Sequence, residues 1–185
     1  MPGGGDDVAE AGAAPEHLRQ VVDSLQEVPA VLRNRHLDVL ASNELARRLS
    51  AAFEPGVNLA RYTFLNPVVP TLTTDWSRVA HLVAASLRTS LETNLEDSGF
   101  RALVGELAAQ SQDFNRAWAG PRPERPGSGG LGWEHPVVGQ MAMAYQELQA
   151  CGETDGSVLV LWRAVDAVSA ARLERLRTVG STTLT

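Results

Sequence analysis

Gln140-Met141-Ala142-Met143-Ala144-Tyr145-Gln146 reads with a period of two. On an extended chain Met141, Met143 and Tyr145 share one face, and Gln140, Ala142, Ala144 and Gln146 share the other. Upstream of about residue 120 the apolar residues recur at helical spacing instead. The change of period decides the fold class, because helices precede a block of strands rather than alternating with them. Downstream, Val158 to Val165 is apolar on both faces apart from Arg163, which predicts an inner strand covered on each side.

Working outward, a helix begins at Pro15, with Leu18, Val21, Val22 and Leu25 on one face. Val28–Arg33 and Leu37–Ser42 flank Asn34-Arg35, and Val31, Leu37, Val39 and Ala41 give partial alternation, so a β-hairpin is predicted. Asn43 suits a helix N-cap, with Leu45, Ala46 and Leu49 inward to about Phe53 and Pro55-Gly56 as the stop. Asp75-Trp76 opens a long helix whose Trp76, Val79, Ala80, Val83, Leu87 and Leu91 form one stripe. Phe100, Leu103, Val104, Leu107 and Ala108 mark another helix, and Ser111 with Asp113 caps a short one carrying Phe114 and Trp118. Residues 120–132 are assigned to a mobile Pro/Gly/Arg loop, and a last helix runs from about Ser169 to Val179 with Leu173 and Leu176 inward. This order is met by one five-stranded antiparallel sheet, with helices inserted between its second and third strands and a helix at the C-terminus. The expected boundaries are a disordered acidic segment over 1–14, a domain over 15–179 and a tail over 180–185.

The 185 residues suffice for one domain that buries about two thirds of its unfolded surface. The formal net charge is −6, and all 16 basic residues are arginines. With the Ala/Gly richness, the missing lysines look like the codon usage of a GC-rich, actinobacteria-like genome. An acidic domain is a poor partner for a phosphate backbone, so no direct nucleic-acid contact is expected from it. A single cysteine, Cys151, an N-terminus without a signal-peptide pattern, and no apolar run near the roughly 18 residues of a membrane span together predict a cytoplasmic protein without a membrane association.

Catalytic signatures are absent from the sequence. Gly127-Ser128-Gly129-Gly130-Leu131-Gly132 formally matches a dinucleotide fingerprint, but it lies in a Pro/Arg-rich loop before a strand rather than between a strand and a helix. His17, His36, His81 and His135 are scattered, without metal-ligand spacing. Neither a nucleophile elbow nor a phosphate-binding Gly-Lys motif occurs, and no lysine is available for a Schiff base. No cofactor, no metal and no enzymatic activity are expected.

Two features stand out. Phe64, Trp76, Phe114, Trp118, Trp133, Met141, Met143, Tyr145 and Trp162 are consistent with either an ordinary core or an apolar pocket between helices and sheet. Arg61 stands between Leu59 and Phe64, and Arg88 follows Leu87. A guanidinium there suits a bidentate grip on a carboxylate, or a snorkelling side chain, or an ion pair to Glu106. His135, before Pro136, either donates to an acid headgroup or fixes a strand entry.

Asn58-Leu59 with Arg61, Phe64 and Pro67, then Asp75-Trp76, Leu87-Arg88, Leu103-Val104 with Glu106-Leu107, Ser111 with Phe114, Trp118, and His135-Pro136 with Gly139 form an ordered series. Pro29 with Val31 and Asp38-Val39-Leu40-Ala41 with Asn43 and Ala46 precede it, and Tyr145 with Leu148 follows. The series resembles the ligand-binding domain of MmyB-like transcription regulators, over about Leu25 to Leu176. That resemblance implies a PAS-like fold, a fatty-acid-like or other apolar ligand, and membership of the helix-turn-helix (XRE) regulators. Two departures from the family pattern bear on this expectation: the chain has no room for the usual helix-turn-helix domain, so a trimmed or stand-alone sensor is expected, and Ser42 stands where a tryptophan is common.

The expected function is therefore small-molecule sensing in a transcription regulator, with the ligand between sheet and helices and its acid group near Arg61, Arg88 or His135. Expected contacts are Arg61, Phe64, Trp76, Leu87, Arg88, Phe114, Trp118, His135, Met141, Met143 and Tyr145. Asn58 and Asp75 are expected as caps and Pro67 as a turn residue. A homodimer is an expected partner state; a ligand-free dimerisation module is the first competing function and a small enzyme on an apolar substrate the last.

Overall fold

The expected hairpin forms between β1 (Ala30–Arg33) and β2 (Val39–Ser42), which pair antiparallel with a bulge between Leu32 and Arg33. Its turn is organised by Asn34, whose side-chain oxygen accepts from the backbone N–H groups of His36 and Asp38, both at 2.9 Å. The turn forces Leu37 into the left-handed region, at φ 69°, with its side chain buried among the helices. This is a computed structural model that describes residues 14–94, 96–120, 127–149 and 156–179. The expected N-terminal segment (nearly all of it), Cys151, the Pro/Arg part of the loop and the tail over 180–185 lie outside those residues.

The N-terminal helix α1 covers Glu16–Ser24. After β2 come α2 (Glu44–Leu49), a 3-10 turn over Ala51–Phe53, α3 (Leu59–Leu65), α4 (Val69–Leu72), α5 (Trp76–Thr93), α6 (Ser98–Gln110) and α7 (Gln112–Ala119). Then β3 (Ser128–His135), β4 (Gly139–Gln149) and β5 (Val158–Ala164) precede α8 (Ala167–Val179). The sheet is five-stranded and antiparallel throughout, in the order β2-β1-β5-β4-β3. The α+β architecture, the helical insertion between the second and third strands and the closing helix are those expected.

Three local differences have physical causes. Strand β3 begins at Ser128, so the glycine-rich run is strand rather than loop. Its glycines pair with β4 along the full ladder, and the ring of Tyr145 lies over Gly129. The segment after Asn58 is a helix in its own right, because Asn58 accepts from the N–H groups of Ala60 and Arg61 at 3.1 and 3.0 Å. The helix predicted to run from Asn43 to Phe53 breaks at Ser50, whose hydroxyl caps the following 3-10 turn.

Strands β1, β2 and β5 feed two cores. Ala30, Leu32 and Ala41 face α1 and pack with Val22, together with Leu159 and Leu161 of β5. Val31, Val39, Val158, Val160, Trp162, Met141 and Met143 face the other way and pack with Leu45, Leu49, Phe53, Leu173 and Leu176. The central β5 is thus covered on both sides, as its composition requires. A third core lies wholly among the helices: Ala60, Phe64, Ala80, Ala84, Leu87, Phe100, Leu103, Leu107, Phe114 and Ala117.

Each sheet edge is covered at one point. Val39 donates to Val57 and accepts from Gly56, while Thr73 bridges to Trp133 on β3. These edge contacts bring the segments flanking α3 and α4 over the sheet. They define the rim of the cavity described next.

Candidate functional site

Between the sheet and the helical core lies a cavity of about 160 Å³. Strand alternation supplies its floor: Val31 and Arg33 from β1, Tyr145 and Glu147 from β4, Val160 and Trp162 from β5, and Leu131 and Trp133 from β3. Phe53 closes one end, and Leu59, Tyr62 and Thr63 of α3 with Val69 and Thr73 form the rim. The roof is α5, which presents Val79, Leu82, Val83 and Ser86 at the i, i+3, i+4, i+7 spacing of one helical face.

Helix α5 has two apolar faces. The stripe read from the sequence divides: Val79 and Val83 look onto the cavity, whereas Ala80 and Leu87 pack into the helical core with Ala84. The row of Ala80, Ala84 and Leu87, small at its first two positions, faces the helical core, and Leu82 and Ser86 on the other side of α5 line the cavity. The sequence stripe ran between these two faces because both are apolar.

Aromatic rings build most of one wall. Trp162 stands at the centre, with Trp133 at 4.7 Å and nearly perpendicular, Tyr145 at 5.1 Å and Phe53 at 5.8 Å between ring centroids. Such tilted and edge-on contacts hold the rings rigidly without stacking them. The Nε1–H of Trp162 is buried without a hydrogen-bond partner among the described residues. Burial, with Glu147 adding to it against an opposing Arg33, pushes the Tyr145 phenol up to about 12, so it stays protonated.

Two charged side chains enter the wall, and they hold each other. Arg33 Nη2 donates to Glu147 Oε1 at 2.7 Å, across the central strand β5. Arg33 Nη1 also reaches the carbonyl of Asn34 at 3.3 Å. The Arg33 side chain is 6% exposed and that of Glu147 is 22% exposed, so the pair forms on the inside edge of the cavity. Sequence reasoning sought arginines in helical stripes and passed over this one. Its signal was present: Arg33 stands two residues after Val31, on the inward face of a strand.

Of the residues expected at a ligand, Tyr145 lines the cavity. Met141 and Met143 are buried in the sheet core alongside it. Phe64, Leu87 and Phe114 lie in the helical core, with Trp76 and Trp118 packed against it. Phe64 and Phe114 meet edge to face at 5.1 Å. Arg61 forms an ion pair with Glu106 at 2.8 Å on the surface, the alternative noted from sequence. Arg88 donates to the carbonyls of Trp118 and Gly120 and lies over the Trp118 ring, tying α5 to the end of α7. His135 donates from Nε2 to the carbonyl of Arg48 at 2.9 Å and accepts from Val137 N–H, which fixes the entry to the β3–β4 turn.

Other residues of the ordered sequence series also frame the fold. Asn43 accepts from Ala46 and Ala30 N–H and donates to the carbonyls of Leu25 and Val28. Asn58 donates to the carbonyl of His36 and to Asp38 at 2.7 Å, and Asp75 caps α5 through Arg78 N–H. Among the described residues, no group of three or more His, Cys, Asp or Glu side chains is placed to share a metal ion.

The sequence matches the family described as the MmyB-like transcription regulator ligand binding domain over residues 14–176. This chain belongs to that family. As an MmyB-like ligand-binding domain it carries its cavity on the face of the sheet that the inserted helices cover. A solved structure similar to it is that of the PAS domain from Bordetella pertussis BvgS, at 13% identity and a TM-score of 0.36, covering 90% of this chain and 96% of that one. No curated protein matches the chain. Among the described residues no helix is long and apolar enough to cross a membrane.

Proposed function

We propose that this MmyB-like domain senses an apolar small molecule, fatty-acid-like or otherwise, in the cavity between sheet and helices, on behalf of a cytoplasmic transcription regulator. The observation that carries the proposal is the cavity itself: about 160 Å³ of space walled by Val31, Leu59, Val79, Val83, Trp133 and Trp162. A filled core would not leave it. Binding, rather than catalysis, is the role that a neutral ion pair and an apolar wall support. Contact with DNA is assigned to a segment outside this domain, since its net charge of −6 opposes a phosphate backbone.

The two faces of α5 support a route for output. A ligand pressing on Val79 and Val83 moves the same helix that packs Ala80, Ala84 and Leu87 against Phe64 and Phe114. The helical core then serves as the layer that shifts, either within the domain or across a homodimer, provided the ligand favours one packing over the other. Met141 and Met143 beside the floor are suited to follow that shift, because an unbranched thioether side chain adapts its shape.

Native mass spectrometry and solvent extraction of protein purified from cells are the test. A bound apolar molecule is expected. An empty protein whose melting is unchanged by apolar probes, including acids of roughly ten to eighteen carbons, would leave the interaction-module reading in its place.

A further inference from the structure

We infer that the exposed part of the sheet's outer face, across β3, β4 and β5, is a twofold contact surface whose partner is a second copy of this chain. It is the face opposite the cavity, and the inference does not depend on any ligand.

Side-chain alternation builds this face. Met143, Tyr145 and Glu147 of β4 point to the cavity side, so Gln140, Ala142, Ala144, Gln146 and Leu148 point away from it. The ladders set Gly130, Gly132 and Glu134 of β3 beside Ala144, Ala142 and Gln140. On the other flank Leu161 and Arg163 of β5 stand beside Gln146 and Ala144. Helix α1 packs on β1 and β2, at the far end of this face. Beyond it Leu148 is 45% exposed, and Val165, whose N–H donates to the carbonyl of Ala142, is 55% exposed. Large apolar side chains left together in water on one sheet face mark a contact surface.

Charge identifies the partner. On this side the three strands carry one acid and one arginine, Glu134 and Arg163. Both are exposed, and neither side chain has a partner among the described residues. Glu134 stands beside Gln140, two residues before Ala142, whereas Arg163 stands beside Ala144, two residues after it, on the opposite flank of β4. Ala142 therefore lies midway between the charges, which are about 16 Å apart at ordinary strand spacings. A twofold axis crossing the face at Ala142, perpendicular to the line that joins them, sets Glu134 of each copy against Arg163 of the other. That is the reciprocity of an isologous contact, in which one surface is its own complement. Side chains at the crossing are short, so the sheets can reach the roughly 10 Å spacing of packed sheets. The contact is only three strands wide, which places it among the weaker interfaces, and a dimer that dissociates on dilution is expected.

Sedimentation velocity on the full chain over the micromolar range is the experiment, with melting as the check that each variant folds. The unaltered chain is expected to pass from monomer to dimer. Glu134→Arg and Arg163→Glu each set like charges together, and each is expected to weaken the dimer about tenfold or more. The two exchanges combined restore opposite charges, and the dimer should return to within about threefold of the unaltered one. A monomer at every concentration, the outcome if another segment of the chain or an unrelated partner takes this face, overturns the inference. So does a dimer that either single exchange leaves unchanged, or that the combined exchange fails to restore. The sensing role stands or falls separately, on the extraction experiment.

Discussion

Arg33 and Glu147 are 114 residues apart in sequence and 2.7 Å apart in space, and they meet on the wall of the cavity. Their exposures differ, 6% against 22% for the side chains, so the two ends of the pair are not equivalent. Losing the carboxylate strands a charge inside the protein. Losing the guanidinium leaves a carboxylate that still reaches water.

That asymmetry is measurable. Glu147→Leu is expected to destabilise by about 3 kcal/mol or more, and Arg33→Leu by less. The double variant should recover part of the loss, giving a coupling energy of at least ~1 kcal/mol in a double-mutant cycle by urea denaturation. Equal costs for the two single variants, with no coupling, would show that the pair does not act as a buried unit.

Asn43 joins the chain before β1 to β1 and α2 through both ends of its amide. Asn43→Ala removes a helix cap and leaves the carbonyl of Val28 and the N–H of Ala30 short of partners. A loss of about 3 kcal/mol is expected, well above the ~1 kcal/mol of an exposed cap. Thermal and chemical denaturation should agree on it. Asn43→Asp keeps the acceptors but turns a carboxylate toward the carbonyls of Leu25 and Val28, so it should rescue little.

Tyr145 is one of two tyrosines in the sequence, and its phenol ionises at about 12 rather than 10.0. Since the folded value is raised, the stability it contributes is fully present below pH 10 and is lost as pH rises toward 12. Phenolate absorbance should therefore show a late-titrating tyrosine, and Tyr145→Phe should abolish that step. An unchanged alkaline titration in the variant would show that the ring is not held in the apolar wall.

Gly129 lies under the Tyr145 ring, where a Cβ would sit 2.8 Å from Cε1 and 3.0 Å from the hydroxyl. Gly129→Ala must push that ring toward Trp162 and into the cavity. A cost of about 1–3 kcal/mol is expected, together with a change in tryptophan emission. Gly132→Ala meets only Thr74, at 3.4 Å, and should cost less.

What could be read from sequence followed from local geometry. Alternation at Met141, Met143 and Tyr145 placed one face of β4, and its continuation reaches Glu147. The two-sided apolar run from Val158 marked the central strand, and Asn43, Asn58, Asp75 and Ser111 mark helix starts because their side chains satisfy the first free N–H groups. Fold class and helical insertion followed from these, and the family from the ordered residue series that resembles it. The start of β3 was missed because its glycines carry no side-chain pattern, and their strand conformation depends on pairing with β4.

Only the tertiary structure decided where the cavity lies and what charge its wall carries. Which apolar face of α5 roofs the cavity depends on how closely α3 and α7 approach Ala80 and Ala84, and no periodicity encodes that distance. Strand order placed β1 and β4 on either side of β5, and so brought Arg33 to Glu147. A period is a property of one segment's backbone, whereas a cavity is the volume that segments remote in sequence fail to fill. The sequence by itself therefore determined the fold and the family; the packing of its layers determined the site.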